Sequence, residues 1–186
     1  MNLTEAQIER YSRHIILSEV GGKGQEKLLA GKVLLVGAGG LGSPAGLYLA
    51  AAGVGTIGVI DADVVDVTNL QRQVIHFTAD LGKPKVASAA AKMQAINPDV
   101  NVVTYHARLT AANALEILAD YDFVIGGTDN FPSKFLVADA CHFTGTPYSH
   151  AGILRFDGQI MSVRPGESAC YRCVFNEPPP KGVVPS

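Results

Sequence analysis

The residues of this chain that could do chemistry sit in four short stretches. The first is VGAGGLG, Val36 to Gly42, in which Gly37, Gly39 and Gly42 have Gly-x-Gly-x-x-Gly spacing. Glycines so placed let a backbone turn approach phosphate at the start of a helix, and Gly40 lies inside the same turn. Asp61 follows nineteen positions after Gly42, where an acid would accept hydrogen bonds from ribose hydroxyls. Both features fit NAD and ATP equally. The second stretch, DVTNLQRQVIHF, crowds Asn69, Gln71, Arg72 and Gln73 together, and Arg72 offers a planar fork suited to phosphate oxygens. In the third, GKPKVASAA, Lys85 opens a helix at the end where the dipole disfavours a cation, so an anionic partner is expected beside it. Lys83 reads as solvated surface. The fourth is GGTDN: Asp129 could hold a Mg²⁺ bridging phosphates, and Asp129 or Asn130 could equally cap the helix that begins near Phe131.

Arg72, Lys85 and a metal carboxylate together suit a triphosphate attacked at its α-phosphorus, where cations offset developing charge and a metal orients leaving pyrophosphate. Hydride transfer would instead need a nicotinamide pocket and a proton donor beside the substrate. No histidine stands out for that role: His14, His76, His106, His142 and His150 read as surface or satisfied core residues. Cys141, within a helical stretch, reads as core.

The elements that must position these groups follow a β-then-α alternation. Val33–Val36 is an apolar run suited to a buried parallel strand, and the glycine turn leads into a helix over Pro44–Ala52. Further strands are expected at Thr56–Ile60, Val100–Tyr105, Asp122–Gly126 and near Tyr148, with helices at Lys85–Ile96, Ala111–Ala119 and Phe131–Phe143. This order predicts an α/β fold, a doubly wound, mostly parallel, Rossmann-like sheet with ligands at the carboxyl ends of its strands. Residues 1–30 form an N-terminal helical arm, in which Thr4 and Gln7 make a capping box and the helix runs to about Ser18 before EVGGKGQEKLLAG breaks it. ILRFDGQIMSVRP reads as a C-terminal antiparallel hairpin around Asp157-Gly158, and residues 176–186 as a proline-rich loop.

Composition narrows the classes. At 186 residues, with 47% apolar and 17% charged residues, the chain suits one folded domain. A net charge of −2 without basic runs argues against nucleic acid, and no stretch approaches a membrane span or a secretion signal. A cytoplasmic location is expected, where three cysteines would stay reduced rather than form disulfides.

RYSRHIIL, VLLVGAGGLGSPAGLYLAAAGVG, IDADVVDVTNLQRQVIH, GKPKV, INPD and GGTDNFPSK, taken in order, resemble the signature series of the MoeB/ThiF/HesA family, bacterial relatives of ubiquitin-activating enzymes. The resemblance runs from about Ile8 to Val174. It implies an adenylyltransferase that joins the C-terminal Gly-Gly carboxylate of a small ubiquitin-fold sulfur-carrier protein to AMP and releases pyrophosphate. It further implies that Gly40 and its glycine neighbours approach ATP, Asp61 holds the ribose, and Asn69, Arg72 and Lys85 contact phosphates. Asp129 would ligate Mg²⁺ and Asn130 would sit beside the nucleotide. Arg13 is similar to an arginine that reaches the γ-phosphate held by a neighbouring subunit, which implies a homodimer, and a sulfurtransferase is an implied partner. CYRC, with Cys170 and Cys173, resembles half of the family's structural Zn²⁺ site. Zinc in a closed site takes four ligands, so the second pair is expected from a longer form of the protein or from a partner chain.

Three other readings stay open at this point: adenylation of a different carboxylate, as in tRNA- or peptide-modifying relatives; an ATP-binding interaction module without turnover; and an NAD dehydrogenase. The sequence does not distinguish carriers serving molybdopterin, thiamin or thiolation pathways.

Overall fold

The computed structural model describes residues 3–177. Six strands form one sheet: β1 (Lys32–Val36), β2 (Thr56–Ile60), β3 (Asn101–Tyr105), β4 (Phe123–Gly126), β5 (Tyr148–Leu154) and β6 (Asp157–Val163). Their order is β3-β2-β1-β4-β5-β6, with every neighbouring pair parallel except β5 and β6. The apolar runs KVLLV and TIGVI occupy the middle because a strand covered on both faces carries no polar side to spare.

Helices α4 (Gly42–Ala52) and α5 (Lys85–Ile96) pack against each other over one face of the sheet. The other face carries α6 (Ala114–Leu118), α7 (Phe131–Thr144) and α8 (Tyr171–Val174). One core, on the α4–α5 face, holds Leu35, Ile57, Val59 and Met93; the other holds Leu34, Leu118, Val124 and Phe135. Leu34, Ile57 and Leu118 are fully buried, each burial contributing roughly 1.5–3 kcal/mol. The doubly wound architecture expected from the sequence is therefore the one observed, with helix ends shifted by a few residues, as where α6 starts only after Asn113 turns back on Thr110 N–H at 2.8 Å.

Two expectations about the rest of the chain are corrected. The N-terminal arm is three helices: α1 (Glu5–Arg10), α2 (Ser12–Ile15) and α3 (Gly21–Ala30). The capping box between Thr4 and Gln7 is present. The first helix breaks at Tyr11, which turns inward to accept a hydrogen bond from Asn97 Nδ2 at 2.7 Å and is 2% exposed. The glycine-rich stretch expected to interrupt helix instead forms α3. Glycine costs about 1 kcal/mol in a helix, and tertiary contacts outweigh it here. Buried Gln25 donates to Ala52 O and pairs with His14 Nδ1, both at 2.9 Å.

The second correction concerns the hairpin. Leu154 pairs with Asp157, so the turn is Arg155–Phe156, with Arg155 in the left-handed region at φ 57°, and Gly158 lies in the ladder opposite Ile153. A register that pairs Tyr148 with Val163 buries both, and a slip to an Asp157-Gly158 turn would lose that pairing. Among the described residues no helix is long and apolar enough to cross a membrane. Residues 178–186 of the expected loop lie outside the described residues.

Candidate nucleotide-binding site

Strand order reverses between β1 and β4, and in such sheets the crevice beyond their carboxyl ends is where ligands bind. The glycine turn leaves β1 there and GGTDN leaves β4 beside it. Gly37 takes φ 100°, and a Cβ on it would lie 3.2 Å from Gly127 O. A Cβ on Gly42 would lie 1.9 Å from Gly37 O, so no side chain fits. Gly39 and Gly40 face the loop instead, with Cβ positions 3.7 Å from Gln73 Nε2 and from the Arg72 stem. No acceptor among the described residues takes the Gly39 or Gly40 amide.

Asp61, at the end of β2, accepts Ala38 N–H on one oxygen and Asp63 N–H on the other, both at 2.8 Å. It thereby fixes the turn while its remaining lone pairs stay available to a ribose. Lys85 is 6% exposed, and its Nζ donates to Asp63 Oδ2 at 2.9 Å. The anion expected beside the helix start is thus supplied within the chain, by a residue the sequence reading did not single out. Arg72 is exposed and lies along Gly40, its guanidinium donating to Thr68 O at 3.2 Å and Gln71 Oε1 at 3.3 Å. Asn69 closes the short turn Val67–Asn69 next to it.

Of the two capping candidates, Asn130 caps α7, accepting Ser133 N–H at 2.9 Å, and Asp129 is left exposed at the mouth. The arrangement brings the glycines, Asp61, Arg72 and Lys85 to one end of β1 and β2, with Asp129 and Asn130 following β4. Arg13 is elsewhere: it lies exposed on α2, whose main packing partners are α1 and α3.

Three buried polar atoms at this crevice have no hydrogen-bond partner among the described residues: Ser43 Oγ in the first turn of α4, Gln73 Oε1 beside Gly39, and Thr128 Oγ1 beside Gly37. Native interiors leave few such atoms unpaired, so their clustering marks a place for a polar ligand.

Several participants gave no sequence signal. His76 is buried, its ring nitrogens 2.9 Å from Ala38 O and Ser88 Oγ, and burial holds it below the usual imidazole range. Lys134, also buried, donates to Ala151 O at 3.0 Å and lies 3.3 Å from His150 Nε2. Burial lowers the Lys134 ammonium, partly offset by Asp129, while burial and the Lys134 charge push His150 down to about 4. A buried histidine or lysine has no short-range spacing to betray it; both partners come from other elements.

Cys170 and Cys173 place their sulfurs 3.2 Å apart, and the Cys173 hydrogen bond lowers the Cys170 thiol. Cys141, in the core cluster against which Cys170 packs, is fully buried, and burial pushes its thiol up to about 12. Among the described residues no group of three or more His, Cys, Asp or Glu could hold a metal ion.

Fold and crevice define a doubly wound nucleotide-binding domain equipped for phosphate. Residues 11–186 match the ThiF family, and the chain belongs to that family. It is 49% identical over 185 residues to the SAMP-activating enzyme E1 of Haloferax volcanii, covering 100% of this chain and 68% of that protein. It is 48% identical over 191 residues to the sulfur carrier protein adenylyltransferase of Thermus thermophilus, covering 100% of this chain and 70% of that one. Among solved structures, E. coli MccB with ATP superposes with TM-score 0.80 at 29% identity, over 88% of this chain and 50% of that chain. The chain thus spans about half the length of that structure.

Proposed function

We propose that residues 1–186 form a single adenylation domain that uses ATP to adenylylate the C-terminal Gly-Gly carboxylate of a small ubiquitin-fold sulfur-carrier protein, giving acyl-adenylate and pyrophosphate. The observation that carries this reading is the crevice itself. Gly39 and Gly40 amides without an acceptor among the described residues, an arginine along the turn and a buried lysine paired with Asp63 accompany three orphaned polar atoms, which suits phosphate far better than nicotinamide. Near-half identity to proteins named for activating sulfur carriers favours a carrier over another carboxylate substrate.

In this reading Asp61 holds the ribose, Asn69, Arg72 and Lys85 contact phosphates, and Asn130 lies beside the nucleotide. No side-chain nucleophile is needed: the carrier carboxylate attacks the α-phosphorus, and the chain contributes positioning and charge stabilisation. Exposed Asp129 fits a Mg²⁺ that takes its other ligands from phosphate oxygens and water, because such an ion needs only one or two protein carboxylates. Bound there, Mg²⁺ would offset charge on the leaving pyrophosphate. Cys170 and Cys173 fit half of a structural Zn²⁺ site, and the other two ligands must come from outside the described residues. Arg13, exposed on α2, serves a neighbouring subunit's ATP in a homodimer, and a sulfurtransferase takes over the activated carrier.

ATP–pyrophosphate exchange tests the reading. Exchange should require a Gly-Gly-ended carrier and collapse in Arg72→Ala and Asp129→Ala. Exchange unchanged in both variants would remove the roles assigned to them.

A further inference from the structure

The Ala38–Gly39 peptide is gripped at a point no phosphate-binding residue touches. His76 Nε2 lies 2.9 Å from Ala38 O, and a carbonyl only accepts, so Nε2 carries the proton. Behind the ring, Nδ1 lies 2.9 Å from Ser88 Oγ, which in turn lies 3.0 Å from Asp80 Oδ2; with Nε2 protonated and the ring neutral, Nδ1 and the carboxylate both accept, and the one Ser88 hydroxyl proton serves one of them at a time. Asp80 is itself anchored: it accepts Phe77 N–H at 3.1 Å and Lys83 Nζ at 3.1 Å, and it also pairs with Lys92. His76, Ser88 and Asp80 are all at most 5% exposed. These contacts seat the ring between the buried Ser88 and Asp80 on one side and a single carbonyl of the glycine turn on the other.

In a trans peptide the carbonyl and the next amide point in opposite directions. With Ala38 O drawn inward to His76, Gly39 N–H is turned outward, where it has no protein acceptor among the described residues. Asp61 holds the preceding Ala38 N–H at 2.8 Å, so Ala38 is fixed on both sides. A glycine turn would otherwise be free to flip this peptide, since Gly39 has little to hinder it.

We propose that His76 is a positioning residue for nucleotide binding: its Nε2–H holds the Ala38 carbonyl inward and so presents the Gly39 amide to a phosphate. The inference rests on the nucleotide reading above. It separates the two ring nitrogens, because only Nε2 touches the turn.

Calorimetric titration with Mg-ATP and with adenosine, on the full chain and its variants, tests it. His76→Gln keeps a donor near the Nε2 position, and its affinity for Mg-ATP should stay within about threefold of the parent. His76→Asn reaches only toward Ser88 and should weaken Mg-ATP roughly tenfold, the loss of one hydrogen bond to charge, while adenosine affinity stays unchanged. Were His76→Asn to unfold, Ser88→Ala replaces it: Nε2 remains in place, so Mg-ATP affinity should stay within about twofold, and a tenfold loss would overturn the proposal. Equal Mg-ATP affinity in His76→Gln and His76→Asn, or parallel losses for adenosine, would also overturn it while leaving the nucleotide reading intact. A parent chain that binds no Mg-ATP would overturn both.

Discussion

The two ends of the sheet's carboxyl edge are built differently. Around β1 and β2 the polar groups are held by one another: Asp61 by two amides, Lys85 by Asp63, His76 between Ala38 and Ser88. At the β5–β6 hairpin, Ile153, Leu154, Phe156 and Ile160 stand exposed, Phe156 completely. In the first region backbone amides and buried side chains hold one another in place. The second presents apolar side chains to solvent.

The comparison breaks most sharply at two glycines. Gly42→Ala drives a Cβ to 1.9 Å from Gly37 O and should cost about 3 kcal/mol or more together with Mg-ATP binding, whereas no atom of the described residues lies within 4 Å of a Cβ on Gly158. Gly158→Ala should leave the unfolding midpoint essentially unchanged. Equal midpoints for the two variants would remove the distinction between a packed turn and an open hairpin. Next in size, Arg72→Ala should lower exchange on the order of 100-fold without changing stability, because its side chain is exposed. By contrast, Arg164→Ala, just past the end of β6 away from the hairpin tip, breaks an exposed pair with Glu167 and should leave both readouts unmoved.

Smaller effects come from pH, and they carry opposite chemistry with the same sign. Burial and Lys134 lower His150 from 6.5 to about 4, so the unfolded chain takes up a proton before the folded one does. Stability should therefore fall as pH drops from about 6.5 toward 4, by on the order of 1–3 kcal/mol, and His150→Phe should flatten that slope. Asp80, lowered first by Lys92 and also by Lys83, adds stability that is full above its unfolded value near 3.8 and lost as pH falls further. Asp80→Asn should flatten only that more acidic limb. Thermal melts at stepped pH resolve the two, and a single shared transition in both variants would contradict the assignment. Smallest of all, Phe156→Ser at the hairpin tip should shift stability by no more than about 0.5 kcal/mol, read from the denaturant midpoint.

The same contrast explains what the sequence alone could show. Strand and helix order was legible because apolar runs and glycine turns are local signals, and so were the positions of Asp61, Arg72 and Asp129, each at a strand end or in a polar loop. Asp63 was not, because only the fold brings its carboxylate to Lys85 across 22 positions. His76 stayed hidden for the same reason, its partner Ala38 lying 38 residues away. Helix α3 was masked by its glycines, whose helical cost is local while the Gln25 contacts that repay it are distant. The Asp157-Gly158 turn signal lost to a register set by burial of Tyr148 and Val163.

Intact-mass spectrometry of a Gly-Gly-ended carrier, incubated with this chain, Mg-ATP and pyrophosphatase, tests the central claim most directly. Adenylylation predicts a carrier heavier by one AMP group, formed with ATP but not with NAD. A carrier of unchanged mass in the presence of bound ATP, or one carrying a bare phosphate, would contradict it.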